Sequence, residues 1–182
     1  MAKVLVPLAQ GCEELEAITI TDLLVRAGNQ VTTAGLDDQP VVASRGARLL
    51  PDTTIDQVAN EAFDLVVLPG GLPGADHLRD NATLQTILQQ HAAQDKYVAA
   101  ICAAPKALAQ AGLLEGKTAT SFPGALNGID LPSTQIRDTA VEVDGKIVTS
   151  RGPGTAMDFA LTLIELLQGA DKREEVNRQL VR

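Results

Sequence analysis

Cys102 lies in Val98-Ala99-Ala100-Ile101-Cys102-Ala103-Ala104-Pro105, directly after an apolar strand pattern and directly before a helical one. A thiol at a strand-to-helix turn is a candidate nucleophile. Small neighbours such as Ala100 and Ala104 let the turn tighten until the sulfur is pushed out of the sheet. A helix start also favours thiolate through the positive end of the helix dipole. A buried cysteine that merely fills space fits the same local pattern equally well. Glu16 separates the two readings. On a helix it shares a face with Ile20, Leu23, Leu24 and Ala27, so its carboxyl is directed inward. A carboxyl on a core-facing stripe is costly unless it is paired or protonated. Glu13 lies near the same direction but at the helix start, where acids are favoured, and Glu14 points away.

Other marks are weaker. Leu68-Pro69-Gly70-Gly71 ends a buried strand with two glycines, where backbone can approach a ligand closely and offer N–H groups to an oxyanion. An ordinary turn explains the same residues. Ser150-Arg151-Gly152-Pro153-Gly154 enters a long helix but lacks the lysine and spacing of a Walker loop. Arg26 and Arg45 are cations in an acidic chain, available to surface acids or to a small anion. His77 is read in the loop after Gly74 and His91 in a helix, neither with a motif around it, so no Cys-His-Asp triad is legible. Cys12 and Cys102 form neither a disulfide framework nor a metal-ligand spacing.

The elements that must position these groups follow from hydrophobic periodicity. Strands are expected at Lys3–Ala9, Gln30–Ala34, Asp64–Leu68, Tyr97–Ile101 and Thr118–Ser121. A small hairpin or edge segment is expected within Pro40–Arg48. A second hairpin, Val141–Val143 with Lys146–Thr149, turns at Asp144-Gly145. Helices are expected at Glu13–Ala27, Ile55–Ala59, from an Asn81 cap through His91, and at Lys106–Ala111, Thr155–Leu167 and Asp171–Val181. Alternating strands and helices imply a mostly parallel sheet covered on both faces. Ligands bind such sheets where strands end, which singles out Gln10–Glu14, Pro69–Gly74 and Cys102–Pro105. Leu15, Ile18 and Val25 give the first helix a second apolar face, read as a dimer seam.

The 182 residues suit a single domain, 1–182. Hydrophobic residues make up 45% and charged residues 21%, which describes a globular chain rather than a disordered one. Aromatics are only 2%, so the core rests on Leu, Ile, Val and Ala and offers no stacking platform for single-stranded nucleic acid. A net charge of −8 repels phosphate backbones and anionic lipid. Met1-Ala2-Lys3 runs straight into a strand, and no apolar stretch reaches membrane-spanning length, so a cytoplasmic location is expected.

Four motifs together, Glu13-Glu14-Leu15-Glu16, Leu68-Pro69-Gly70-Gly71, Ala99 to Pro105 and Ser150 to Thr155, resemble the ThiJ/PfpI superfamily over roughly Val4 to Leu180. Within it they are most similar to the clade of the Parkinson-disease-associated protein deglycase and its bacterial YajL-like relatives. The resemblance implies an α/β, flavodoxin-like three-layer sandwich with small β-hairpin additions, mostly found as a homodimer. It implies that Cys102 is a reactive, oxidation-prone cysteine and that Glu16 donates a hydrogen bond to it. Gly71 would present its N–H to the thiol. Arg45 would reach the pocket across a dimer interface, with Arg26 near it. Phe122 stands where many members carry a pocket histidine, as in YajL-like members, so imidazole proton transfer is unavailable there. Cys12 occupies a position usually small or polar, either as an exposed, dipole-activated second thiol or as a stand-in for alanine.

The resemblance further implies glutathione-independent glyoxalase or deglycase action on reactive dicarbonyls. The expected arrangement is a neutral Glu16 donating to a Cys102 thiolate, with Gly70, Gly71 and Ala103 backbone lining the pocket. Neither a cofactor nor a metal is expected. The alternative is a redox-responsive chaperone or stress sensor in which oxidation of Cys102, not turnover, is the function. Ala103 replaces the histidine that peptidase-type members carry after the cysteine, so peptidase activity is discounted. A hydrolase or amidotransferase relative would need an imidazole near Cys102.

Overall fold

The computed structural model describes residues 1–181. In chain order the elements are β1 (Lys3–Leu8), α1 (Glu14–Arg26), β2 (Gln30–Gly35), β3 (Val41–Val42), β4 (Arg48–Leu49), β5 (Thr53–Thr54), β6 (Leu65–Leu68), α2 (Gly74–Asp80), α3 (Ala82–Ala93) and β7 (Tyr97–Ile101). They continue with α4 (Pro105–Gln110), β8 (Thr118–Ala119), β9 (Gln135–Ile136), β10 (Val141–Asp144), β11 (Ile147–Ser150), α5 (Ala156–Gln168) and α6 (Ala170–Gln179).

Seven strands form the central sheet in the order β10-β11-β7-β6-β1-β2-β5. All pairings in it are parallel except β10 with β11, the hairpin expected around Asp144-Gly145. Strands buried on both faces must be apolar at every position. Val4, Val6, Leu8, Leu65 and Val67 accordingly meet α1 and α5 residues such as Ile20, Leu24 and Phe159 on one side. Leu5, Val66, Leu68, Val98 and Ala100 meet Leu78, Leu84, Leu88 and Leu108 of α2, α3 and α4 on the other. This is the α/β flavodoxin-like sandwich, with the short antiparallel pair β3-β4 added outside the sheet.

From β1 the chain crosses outward through α1 to β2, whereas β6 and β7 extend the sheet the other way. The direction of winding therefore reverses between β1 and β6, and the crevice beyond their carboxyl ends is where such sheets hold ligands. The loops after β1, β6 and β7 meet there.

Three expectations change. Ile55–Ala59 is a run of turns rather than a helix. Ile55 N–H joins Gly35 O, extending the β2-β5 pairing, and the following bonds, such as Gln57 to Thr54, close three-residue turns. The Thr118–Ser121 strand is shorter and pairs with β9, off the central sheet. The helix α2 was not expected, because Gly74, Asp76 and Asp80 dilute its apolar period. The Asn81 cap holds, its Oδ1 accepting from Leu84 N–H at 2.8 Å. Among the described residues no helix is long and apolar enough to cross a membrane.

Candidate active site

Cys102 takes a φ of +64°, a left-handed conformation that costs a non-glycine residue about 1–3 kcal/mol. The turn is held from both sides. Cys102 N–H donates to Ser150 O of β11 at 2.9 Å, and Cys102 O accepts from Phe122 N–H at 2.8 Å. The strained turn expected from Ala100 and Ala104 is present, and it leaves the thiol residue only 8% exposed.

Glu16 is fully buried, at 0% exposure, on the face of α1 that carries Ile20, Leu23 and Leu24. Its Oε2 accepts from Gly70 N–H at 2.7 Å. Its Oε1 has no closed hydrogen bond among the described residues, while the two side chains, carboxyl and Cys102 thiol, act on each other at hydrogen-bonding range. Burial pushes the Glu16 carboxyl from its ordinary 4.5 up to about 7, against lowering by the Gly70 amide and the thiol. Because Gly70 N–H needs a lone pair on Oε2, a proton taken up by Glu16 resides on Oε1, the oxygen free to donate.

The thiol departs from the expectation. Helix entry alone argues for a lowered pKa, but burial pushes Cys102 up to about 12, and the Glu16 charge and hydrogen bond add to it. Only the Gly71 and Ala103 amides pull it down. The helix that follows is six residues long, too short to reverse the sign. With Glu16 ionised the sulfur therefore holds its proton. The arrangement with a neutral acid and a thiolate is the other tautomer of the same one-proton pair, reached by passing that proton from sulfur to Oε1.

Gly70 cannot be replaced without displacing this pair. A Cβ there would stand 2.6 Å from Cys102 Cβ, 2.8 Å from Ile101 O and 2.9 Å from Glu16 Oε2. Gly71, at φ +88°, backs onto the Cys12–Glu13 peptide and leaves its N–H to the thiol. The two glycines thus bring β6, β7 and α1 together at the sulfur.

Arg45 sits on the turn between β3 and β4, and Glu14, expected to point away, fastens that turn to α1. The Glu14 carboxylate accepts from Arg45 N–H at 2.9 Å and from Ala47 N–H at 3.3 Å, while Ser44 Oγ donates to Glu13 at 3.0 Å. The Arg45 guanidinium is exposed and forms no ion pair among the described residues. Arg26, expected near Arg45 at a pocket reached across a dimer interface, is exposed in this chain. It ends α1, about 15 Å along the helix from Glu16, and pairs with Asp22 on the surface. It lies outside this chain's own pocket, because a helix that delivers Glu16 with its first turn carries its last turn away.

Phe122 is adjacent, pinned by its N–H to Cys102 O, with its ring against Gly152 and 48% exposed. It borders a cavity of about 300 Å³ that also takes in Arg137 and Arg151. Arg137 was missed because nothing adjacent in sequence marks it. Cys12 is fully buried and its thiol is pushed up to about 12, mostly by burial and then by Glu14 and Glu13, so it fills space as an alanine would. His77 lies in α2 rather than in a loop and borders a separate cleft with Gln10 and Asp80, and His91 is buried beside the Phe63 carbonyl. Neither acts on Cys102, which removes the imidazole a triad would need. Among the described residues no group of three or more His, Cys, Asp or Glu is placed to hold a metal ion.

Residues 2–166 match the DJ-1/PfpI family. The chain is 43% identical over 178 residues to protein dj-1beta of Drosophila melanogaster, covering 97% of this chain and 95% of that one. It is 32% identical over 179 residues to the glutathione-independent glyoxalase DJR-1.2 of Caenorhabditis elegans, covering 98% and 95%. DJ-1 homolog B of Arabidopsis thaliana is 42% identical, but this chain spans only 41% of its length. Among solved structures, oxidized DJ-1 of Toxoplasma gondii superposes with a TM-score of 0.94 at 42% identity, covering 100% of this chain and 98% of that one.

Proposed function

The chain belongs to the DJ-1/PfpI family, and on that premise we propose that it is a cysteine-dependent enzyme acting on small reactive dicarbonyls, of glyoxalase or deglycase type. The observation that carries this reading is the fully buried Glu16, raised to about 7, at hydrogen-bonding range of a strained Cys102. A carboxyl tuned to neutrality suits proton transfer at neutral pH. The name of the nematode relative, a glutathione-independent glyoxalase, supports the substrate class.

In this reading the Cys102 sulfur attacks the aldehyde carbon of methylglyoxal as the thiol proton passes to Glu16 Oε1. The carbonyl oxygen takes the electron pair and is held by the Gly71 and Ala103 amides. Return of the proton gives a neutral hemithioacetal. Glu16 then removes the proton from the sulfur-bearing carbon and delivers it to the adjacent one through an enediol, leaving a thioester. Water breaks that bond to release lactate and the free thiol. Glu16 does all the proton transfer, consistent with the absence of an imidazole at Phe122.

Leu15, Ile18 and Val25 leave α1 with a half-exposed apolar face, at 50%, 52% and 54%. We place a homodimer there, with Arg45 of one protomer serving a pocket completed by its partner. Two free cysteines suit a reducing cytoplasm. A redox role for the same thiol is favoured by one feature: a protonated Oε1 would donate a charge-assisted hydrogen bond to a Cys102 sulfinate.

The experiment is to incubate the pure protein with methylglyoxal and assay lactate, with Cys102→Ser and Glu16→Gln as controls. Turnover lost in both is the expected result. No turnover by the wild type, with protection against aggregation that appears only after oxidation, would transfer the function to the sensor reading.

A further inference from the structure

Asn127-Gly128 is the one asparagine-glycine pair in the sequence. It lies exposed within the turns that follow Phe122. The amides on either side of the junction are engaged. Asn127 N–H donates to Gly124 O at 3.1 Å, and Ile129 N–H donates to Leu126 O at 3.3 Å. Between them, neither the Gly128 N–H nor the Asn127 side chain has a hydrogen-bond partner among the described residues. Gly128 takes a φ of +78°, and nothing stands within 4 Å of where its Cβ would be. With no side chain of its own, it leaves its nitrogen open to the preceding carboxamide.

The other asparagines each lack one of these conditions. Asn29 is buried, with its amide nitrogen bonded to Leu24 O and to Gln168 at 3.2 Å. Asn81 caps α3 through its Oδ1, and Asn177 lies within α6. Asn60 is exposed but precedes Glu61, whose side chain crowds the amide that would have to attack. Asp144-Gly145 is the acidic counterpart. Its carboxylate accepts from Thr118 N–H at 2.8 Å and lies 3.5 Å from Lys117 Nζ, so it is held ionised and is a poor target for a nucleophile.

We propose that Asn127-Gly128 is a self-modification site, at which the folded chain converts asparagine to isoaspartate and aspartate through a succinimide, with water as co-reactant. The Gly128 nitrogen gives its proton to a solvent base and attacks Asn127 Cγ. The bond from Cγ to Nδ2 breaks, and ammonia leaves. Water then opens the five-membered ring. Attack at the Asn127 backbone carbonyl carbon gives isoaspartate, with the chain rerouted through the former side chain, and attack at Cγ gives aspartate. Nothing is oxidised or reduced. Open approach of the two reacting atoms is what the geometry supplies. Asn127 also lines the cavity beside Phe122, where Arg137 and Arg151 face a single acid, Asp138. The new carboxylate cancels the excess positive charge of that lining. This goes beyond the reaction proposed for Cys102 and does not depend on it.

The test holds the full chain in mildly alkaline buffer at physiological temperature and follows it by anion exchange and by mass spectrometry of the tryptic peptide 118–137. The expected result is a more acidic protein peak, together with loss of the Asn127 amide as a mixture in which isoaspartate exceeds aspartate. Asn127→Gln, a surface change that keeps the amide but lengthens the ring to be closed, should keep the original peak. An amide at Asn127 that outlasts the one at Asn60 would overturn the proposal. So would aspartate without isoaspartate, an acidic peak that persists in Asn127→Gln, or conversion seen in urea but not in the folded chain.

Discussion

The Gly70 amide donates to Oε2 of Glu16 at 2.7 Å, and this bond decides which oxygen of the carboxyl can exchange a proton with Cys102. Oε1 is the free one. The protonation geometry of the site is therefore set by a backbone amide.

The pH dependence of turnover follows from the pair. Below about 7 both Glu16 and Cys102 hold protons, and neither can accept one. Turnover should rise about tenfold per pH unit up to that region and then level off. Lactate formation across buffers from pH 5 to about 9 checks this, and Glu16→Gln should flatten the profile at a low rate. A rate that falls with pH through 7 would mean that the neutral acid, not the base, starts the reaction.

Removing the Glu16 charge should make the thiol more acidic. After burial, the two largest causes that raise Cys102 both come from Glu16. Ultraviolet titration of thiolate in the Cys12→Ala background should show a lower pKa in Glu16→Gln and Glu16→Leu than in the parent. A pKa equal to that of free cysteine and indifferent to both changes would show that the pair does not exist.

Stability should carry the opposite signature. Glu16 binds its proton more tightly folded than unfolded, so it contributes stability below about 4.5 that is lost as pH rises through about 7. Across that window the wild type should lose about 3 kcal/mol relative to Glu16→Leu. Urea unfolding of both proteins at pH 4.5 and pH 8 measures the difference, and a constant gap at the two pH values would contradict it.

Gly70→Ala should disable the site while leaving the fold. The new methyl would overlap Cys102 Cβ and Ile101 O, at 2.6 and 2.8 Å. Overpacking of this kind costs roughly 1–3 kcal/mol. Displacement of the pair by even a fraction of an ångström should lower kcat/KM about a hundredfold. Thermal unfolding and lactate assays together separate this from global loss of structure.

Ile18→Glu should produce monomers. Ile18 lies between Leu15 and Val25 on the uncovered face of α1, and a charge placed in the centre of a buried seam is costly. Light scattering should show a dimer for the wild type and about half that mass for the variant. Equal masses would locate any self-association elsewhere.

Much of this was legible in the sequence. Apolar runs separated by helical periods specify a parallel sheet, and the inward stripe of α1 exposes Glu16 as the residue that does not belong in a core. Asp144-Gly145 marks the hairpin. What periodicity could not supply is whatever depends on contacts between distant segments. Ile55–Ala59 has apolar residues at helical spacing, but its first amide is bonded to Gly35. The sign of the Cys102 shift depends on how deeply the turn is buried, which no local pattern encodes. Glu14 gave a misleading direction because its partner is a backbone turn some thirty residues away. Arg137 reaches the cavity through β8-β9, a pairing of two residues per strand that carries almost no sequence signal.

The Cys102 elbow is closed by Ser150, a residue synthesised long after it. Until β11 docks, the thiol belongs to an unfinished sheet and has the acidity and accessibility of any cysteine in a loose peptide. A nascent chain, or one cut before β11, should therefore be more easily alkylated and oxidised at Cys102 than the mature protein is. Completion of the fold acts as the safety catch on this sulfur, burying it and raising its proton affinity.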